Sequence, residues 1–98
     1  MQINVTRNGS VLALALEGRL DALTSPELEN TLKKSLEGID SLVLDFSKLD
    51  YVSSAGLRTL LSAHKRMSAQ GSMKMTNVNE GVMEIFKMTG FADILLIE

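Results

Sequence analysis

The spacing of apolar residues along this 98-residue chain switches repeatedly between the period of a strand and the period of a helix. Ile3 and Val5 alternate with polar neighbours, and the turn residues Asn8-Gly9 lead into an apolar run at residues 11–16. This pattern predicts a hairpin of two antiparallel strands. Because the run is apolar at every position, we expect its strand to lie inside the sheet, with helices over at least part of both faces.

Three helical patterns alternate with three further strand patterns in the rest of the chain. The first helix is predicted to begin with Thr24 at its N-cap and Glu27 three residues later, and to end at Gly38. The strand patterns cover residues 41–46, 73–76 and 94–97, and the other two helices follow residues 54 and 79 and end at Gly71 and Gly90. The order β-β-α-β-α-β-α-β predicts an α/β sandwich in a single domain over residues 1–98, with helices packed on a mixed, mostly parallel sheet of about five strands.

The composition is that of an ordinary folded domain and argues against several functions. Apolar residues make up 45% and charged residues 22% of the chain, and the formal net charge is −2, so we expect no nucleic-acid partner. There is no cysteine for disulfide or thiolate chemistry. The chain also lacks an apolar run of membrane-spanning length, a charged leader and a phosphate-binding glycine loop. We therefore expect a cytoplasmic protein without membrane contact, cofactor or metal.

Polar side chains are predicted to gather at one edge of the sheet. In open α/β sheets, the loops that leave the carboxyl ends of parallel strands lie together and form the default binding surface. Here these loops cover residues 18–24, 47–54 and 77–80. The side chains expected to meet at this edge are Asp21, Ser53, Ser54, Asn77 and Asn79.

Three segments resemble the STAS domain of the anti-sigma factor antagonists, also called anti-anti-sigma factors. Gly18-Arg19-Leu20-Asp21 is similar to the family's Gly-x-Leu-Asp turn, residues 51–57 to its phosphorylation segment, and Met88-Thr89-Gly90-Phe91 to its closing turn. The resemblance covers nearly the whole chain and implies a STAS-type sandwich.

The resemblance also implies a phosphoacceptor. By its position two residues before Gly56, the acceptor is Ser54. Ser53 stands where many members carry aspartate, and Ala55 where many carry serine or threonine. Ser53 is therefore a rival acceptor beside Ser54.

By this resemblance, the function is a switch of protein partners. The unphosphorylated antagonist binds a serine kinase that is also the anti-sigma factor, so that the sigma factor is released. Phosphorylation ends this binding, and a phosphatase restores it. ATP and magnesium belong to the kinase, so the antagonist is not itself an enzyme, and we expect a monomer or a weak dimer. The residues expected at the kinase contact are Asp21, Thr24, Ser53, Ser54, Ala55, Gly56, Arg58 and Asn79.

A phosphate on Ser54 would lie at the amino end of the predicted second helix. Unsatisfied backbone amides and the helix macrodipole favour an anion there, so we expect no unfolding on phosphorylation. The added charge of about −1.5 to −2 would act locally, on a contact surface that includes Asp21. Arg58 lies one turn from Ser54, where it contacts a partner or the phosphate, or belongs simply to a solvated helix face.

Simpler interpretations of the same residues stay open. Either serine can be a plain N-cap, worth about 1 kcal/mol to helix stability, and Asp21 can merely close the turn before Thr24. His64 lies on the apolar stripe of the second helix, so we expect a half-buried core residue rather than a metal ligand or a base.

Two other functions also have to be weighed. One is a STAS domain that is never phosphorylated and serves as a scaffold or binding subunit of a signalling or lipid-transport complex; incubation with a kinase and ATP tests it. The other is a hydrolase with Ser54 as nucleophile. Against it, the chain has no Gly-x-Ser-x-Gly elbow, and His64 lies ten residues after Ser54, about 15 Å along a helix.

Overall fold

The order of helices and strands is the predicted one. A computed structural model describes residues 1–98 and contains five strands, three α-helices and one short 3-10 turn at Phe91–Asp93. The elements are β1 Gln2–Asn8, β2 Val11–Leu20, α1 Ser25–Ser35, β3 Ser41–Val52, α2 Ser54–Gln70, β4 Ser72–Thr76, α3 Glu80–Thr89 and β5 Leu96–Ile97.

The five strands form one mixed sheet in the order β1-β2-β3-β4-β5. β1 is antiparallel to β2, and the three remaining pairs are parallel. The hairpin closes at the pair Asn8 and Val11, and the first residue of its two-residue turn, Gly9, has φ +63°, which glycine adopts without strain. The α/β fold with a mostly parallel sheet is therefore confirmed.

The core lies on one face of this sheet only. On β2, four leucines at even-numbered positions are at most 1% exposed: Leu12, Leu14, Leu16 and Leu20. On the other face, Val11 is 41% exposed and Ala13 and Ala15 are half-buried, so the prediction of helices over both faces was wrong. Two alanines offer too little apolar area to require a second layer, and a sheet with an antiparallel edge tolerates one face toward water.

β3 is twice as long as predicted, and it contains two bulges. Its pairing with β2 shifts by one residue between Asp45 and Lys48 and again between Leu49 and Tyr51, so β3 has two more residues than the stretch of β2 it follows. Its buried side chains consequently fall three apart at residues 46, 49 and 52. This spacing matches neither a regular strand nor a helix, which is why residues 47–52 were wrongly predicted to be a loop.

Several helix ends differ from the predictions by a few residues. α1 ends at Ser35, and Gly38 makes a separate turn with φ +78° rather than the C-cap. α2 begins at Ser54, one residue before the predicted start. α3 ends as predicted at Gly90, which is left-handed. The last strand begins two residues later than predicted, because the amides of Ile94 and Leu95 donate hydrogen bonds to the Phe91 carbonyl at the end of the 3-10 turn.

Gly71 ends α2 for a steric reason. Its φ of 174° is extended backbone that any residue adopts, so backbone conformation does not require glycine. However, a Cβ at this position would overlap the carbonyl of Asp40, whose oxygen accepts a hydrogen bond of 2.9 Å from the Ser72 amide. The glycine lets the α2–β4 connection contact the start of β3.

Candidate functional site

The site is carried by the ends of β2 and β3, which extend beyond the rest of the sheet. β4 ends at Thr76, opposite Asp45, whereas β3 continues for seven residues with β2 as its only paired neighbour. At the end of this two-stranded extension, the Ser53 amide donates a 2.9 Å hydrogen bond to the Leu20 carbonyl. The loop after β2 and the start of α2 are therefore adjacent, as the sequence predicted.

The two adjacent serines have different environments. Ser53 is the N-cap of α2: its backbone is extended, and its hydroxyl oxygen accepts a 3.3 Å hydrogen bond from the Gly56 amide. Ser54 is the first helical residue, is exposed, and makes no side-chain hydrogen bond. Ser53 thus stabilises the helix, whereas the Ser54 hydroxyl is available for reaction.

Gly56 lets the first turn of α2 contact the end of β2. A Cβ at this position would lie 2.8 Å from Leu20 Cγ, 2.9 Å from the Leu20 carbonyl oxygen and 3.1 Å from Val52 Cγ1. Only glycine fits without a shift of these neighbours. The close contact fixes Ser54 next to the loop that follows Leu20.

That loop is ordered by Asp21 and Thr24. Asp21 Oδ1 accepts hydrogen bonds from the Leu23 and Thr24 amides at 3.0 and 3.1 Å. The Thr24 hydroxyl accepts from the Asp21 amide at 2.9 Å and donates to the Arg19 carbonyl at 2.7 Å. Thr24 therefore occupies the N-cap position of α1 as predicted, but the capping box with Glu27 was wrong, because the hydroxyl bonds to the preceding loop instead of the helix.

Three residues that sequence reasoning missed border this loop. The Arg19 guanidinium lies 4.5 Å from the centre of the Tyr51 ring, and its Nε is 3.8 Å from Asp21 Oδ2. Leu23, in the middle of the loop, is 87% exposed. The pairing of Arg19 with Tyr51 depends on both bulges of β3, so no sequence pattern indicates it.

The predicted gathering of five polar side chains is only partly observed. Asp21, Ser53 and Ser54 come together, but the Asn77 amide donates to Asp45 Oδ1 at 3.0 Å, eight residues before Ser53. Asn79 caps α3, since its Oδ1 accepts from the Val82 amide at 2.8 Å while its Nδ2 donates to the Leu49 carbonyl at 2.9 Å. Both asparagines thus lie along the side of β3, because β4 ends before β3 does.

The different environments of the serines predict different stability effects. Ser53→Ala removes the N-cap acceptor of the Gly56 amide and should lower the free energy of unfolding by about 1 kcal/mol. Ser54→Ala removes no hydrogen bond and should change it by less than about 0.5 kcal/mol. Urea denaturation of both variants checks this. A larger loss for Ser54→Ala would show that the hydroxyls have the opposite roles, and equal losses would contradict the assignment of Ser53 as the cap.

Two carboxylates of this region should make stability depend on pH. Hydrogen bonds from the Thr24 amide, with a smaller contribution from the Leu23 amide, hold the pKa of Asp21 below its ordinary value. The side-chain amide of Asn77, and then the backbone amide of Ser47, donate hydrogen bonds that lower the pKa of Asp45.

A lowered pKa in the folded state means that the unfolded chain binds the proton first as the pH falls. The stabilisation is complete above the ordinary aspartate pKa and is lost as the pH falls through the folded value. Asp45→Asn should therefore flatten the fall in urea midpoint between about pH 5 and about pH 3. Asp50→Asn is the control, since Asp50 is exposed and accepts no side-chain hydrogen bond. An unchanged slope for Asp45→Asn would contradict the prediction.

The remaining sequence predictions concern other chemistry. His64 is half-buried on α2, as predicted. No group of three His, Asp or Glu side chains is placed to hold a metal ion, and none of the helices has the length and hydropathy needed to cross a bilayer.

Comparison with known proteins identifies the architecture. Residues 2–98 match the model of the STAS domain family. BtrV of Bordetella bronchiseptica, which is named as an anti-sigma factor antagonist, is 31% identical over 96 residues that cover 96% of this chain and 83% of BtrV.

Solved structures show the same fold. An anti-sigma factor antagonist from Mycobacterium paratuberculosis superposes with a TM-score of 0.88 at 18% identity, over 98% of this chain and 83% of the other. SpoIIAA, a Bacillus cell fate determinant solved in its phosphorylated form, superposes with a TM-score of 0.77 at 14% identity, over 99% of this chain and 91% of the other.

Proposed function

Because the chain belongs to the STAS domain family, we propose that it is an anti-sigma factor antagonist: it binds a serine-kinase anti-sigma factor and thereby frees a sigma factor. The name of the 31% identical relative supports the antagonist function. The observation that carries the proposal is the exposed, unbonded Ser54 hydroxyl at the first turn of α2, beside the Asp21 loop. A protein kinase needs an accessible hydroxyl that can reach the γ-phosphate of its ATP.

Phosphorylation of Ser54 switches this binding off. The Ser54 oxygen attacks the γ-phosphorus of the kinase's ATP, the bond to the β-phosphate oxygen breaks, and the hydroxyl proton passes to a base of the kinase. The kinase supplies ATP and magnesium, and a phosphatase later removes the phosphate. Ser53 is the weaker acceptor, because its hydroxyl is half-buried and bonded to the Gly56 amide.

The kinase contact is proposed to be the surface around Ser54. It includes Asp21, whose second carboxylate oxygen lies toward Arg19 at 3.8 Å, and the exposed Arg58 one turn along α2. Thr24 and Gly56 act indirectly, because one orders the Asp21 loop and the other fixes the start of α2. Ala55 is half-buried next to Ser54 and borders the same surface. Asn79 remains a predicted contact residue, with both of its polar groups in hydrogen bonds to the chain itself.

In this proposal, the chain acts in the cytoplasm as a single domain and catalyses no reaction. The hydrolase alternative lacks a base for Ser54, since no side chain accepts a hydrogen bond from its hydroxyl and His64 lies about 15 Å further along α2.

The test is phosphorylation by the serine-kinase anti-sigma factor encoded in the same genome. With ATP and magnesium, we expect one phosphate per chain on Ser54, located by mass spectrometry, and none in Ser54→Ala. Ser53→Ala should still be phosphorylated. Phosphate on Ser53 alone would overturn the acceptor assignment. Binding of the kinase without any phosphate transfer would favour the scaffold function.

A further inference from the structure

A groove between α1 and α2 begins beside the phosphoacceptor. Two adjoining cavities form it, of about 420 Å³ at the Ser54 end and about 190 Å³ further along. They share the residues Glu29, Thr59 and Ser62. Ala55 and Arg58 line the first cavity and Arg66 the second, so the α1–α2 groove follows α2 for about three turns, roughly 18 Å from Ser54 to Arg66.

The floor of the groove is apolar in the second cavity, and the sides of the groove are charged. In the first cavity, the buried lining residues are polar, namely Ser25 and Thr59. Leu32, Leu36 and Ala63 lie on the floor of the second cavity and are at most 5% exposed. Lys33 on α1 and Arg66 on α2 line the sides of the second cavity. A section that is apolar below and charged above, like that of the second cavity, suits an amphipathic segment of a protein partner.

The charges along the groove are unbalanced. Three of the ten Lys and Arg residues line it, namely Lys33, Arg58 and Arg66, against only one of the twelve acidic residues, Glu29. None of these four side chains forms an ion pair; the two salt bridges of the chain join Arg19 to Asp21 and Lys74 to Glu98. A net positive groove in a chain of net charge −2 is complementary to an acidic partner.

We infer that the α1–α2 groove binds an acidic, amphipathic segment of the anti-sigma factor, so that the interface extends along α2 well beyond Ser54. The inference rests on the proposed function for the identity of the partner. It adds the part of this chain that holds the partner and the chemistry of the segment that is held.

The groove also gives the phosphate a specific way to act. Ser54 and Arg58 are four residues apart and so are neighbours on the helix surface. A phosphate on Ser54 is within reach of the Arg58 guanidinium and competes for it with the partner's carboxylates. Phosphorylation thereby removes one of three cations from the groove and places a like charge beside the acidic segment.

The test compares two charge reversals on adjacent residues of α2. Arg66→Glu places a carboxylate in the groove, about 18 Å from Ser54. Lys65→Glu makes the same change of charge on an exposed residue that does not line the groove. Binding of each unphosphorylated variant to the cognate serine-kinase anti-sigma factor is measured by calorimetry.

We expect Arg66→Glu to weaken binding by about tenfold or more and Lys65→Glu by less than about threefold. The loss for Arg66→Glu should shrink at high salt. In phosphorylation assays, Arg66→Glu should raise KM without changing kcat, since the surroundings of Ser54 are intact. Equal effects of the two variants on binding would overturn the role of the groove as a binding site while leaving the proposed function in place. Absence of any binding or phosphorylation of the unaltered chain would overturn both.

A second pair of variants tests the groove independently, so that the result does not depend on whether Arg66→Glu folds. Ser62→Glu places a carboxylate where the two cavities join, whereas Ser68→Glu places it on an exposed part of α2 outside the groove. Circular dichroism checks that both variants are folded. If Ser62→Glu then binds the kinase more weakly and Ser68→Glu does not, the result supports the groove as a binding site. Equal binding of Ser62→Glu and Ser68→Glu would contradict it.

Discussion

Ser54→Asp is expected to bind the serine-kinase anti-sigma factor about 100-fold more weakly than the unaltered chain. Like charges opposed at an interface cost several kcal/mol, and each 1.4 kcal/mol is about tenfold in affinity, so about 3 kcal/mol suffices. The added carboxylate is exposed at the start of α2, where the helix tolerates an acidic residue, so the fold should be unchanged. Calorimetric titration of the kinase with both proteins measures the difference.

Ser53→Asp provides the matched control, with the same charge one residue earlier. Aspartate is as good an N-cap as serine. This variant should therefore keep full stability and bind the kinase within about threefold of the unaltered chain. If both variants lost binding equally, general charge repulsion and not the position of Ser54 would control the contact.

Gly71→Ala is expected to lower the free energy of unfolding by about 3 kcal/mol, the upper part of the range for overpacking. A Cβ there would overlap the backbone of Asp40, and backbone cannot rotate away as a flexible side chain can. The Asp40 oxygen accepts from the Ser72 amide, so a shift also disturbs the hydrogen bond that joins α2 to β4. Urea denaturation of purified protein gives the change directly.

Gly81→Ala is the control for a glycine in a permissive place. A Cβ added at Gly81 would lie 3.4 Å from its nearest neighbour, Asn79 Oδ1, which is an ordinary contact. Gly81 lies within α3, where alanine is favoured over glycine by up to about 1 kcal/mol. This variant should be as stable as the unaltered chain or more stable. A loss for Gly71→Ala no larger than about 0.5 kcal/mol would show that the α2–β4 connection relaxes freely.

The element order was predictable because each segment, apart from the second half of β3, has a single hydrophobic period. The hairpin at Gly9 and the left-handed Gly90 follow from local rules of turn and helix-cap chemistry. The length of β3 was not predictable, because two bulges change the period from two residues to three. For the same reason the Arg19–Tyr51 contact was not predicted, since these two residues pair only in the register of β2 and β3 that follows both bulges.

The candidate site was predictable in its location but not in the roles of its residues. Asp21 and Ser54 were expected at one edge because they follow neighbouring strands. Which serine caps α2 depends on a change of backbone conformation between residues 53 and 54, and adjacent serines give no sequence evidence of it. The groove was not predicted, because it depends on how closely α1 and α2 pack, and residue spacing within one helix does not contain that distance.

The two bulges of β3 separate its length from its orientation. Each bulge adds one residue to β3 without turning the strand relative to β2, because the buried side chains on either side of a bulge lie three residues apart instead of two. Leu49 follows the first bulge and Val52 follows the second, and both side chains are buried in the core. Deletion of the extra residue of one bulge should therefore leave the later side chains on their present faces. Deletion of one residue from the regular part of β3 should turn every later side chain to the opposite face.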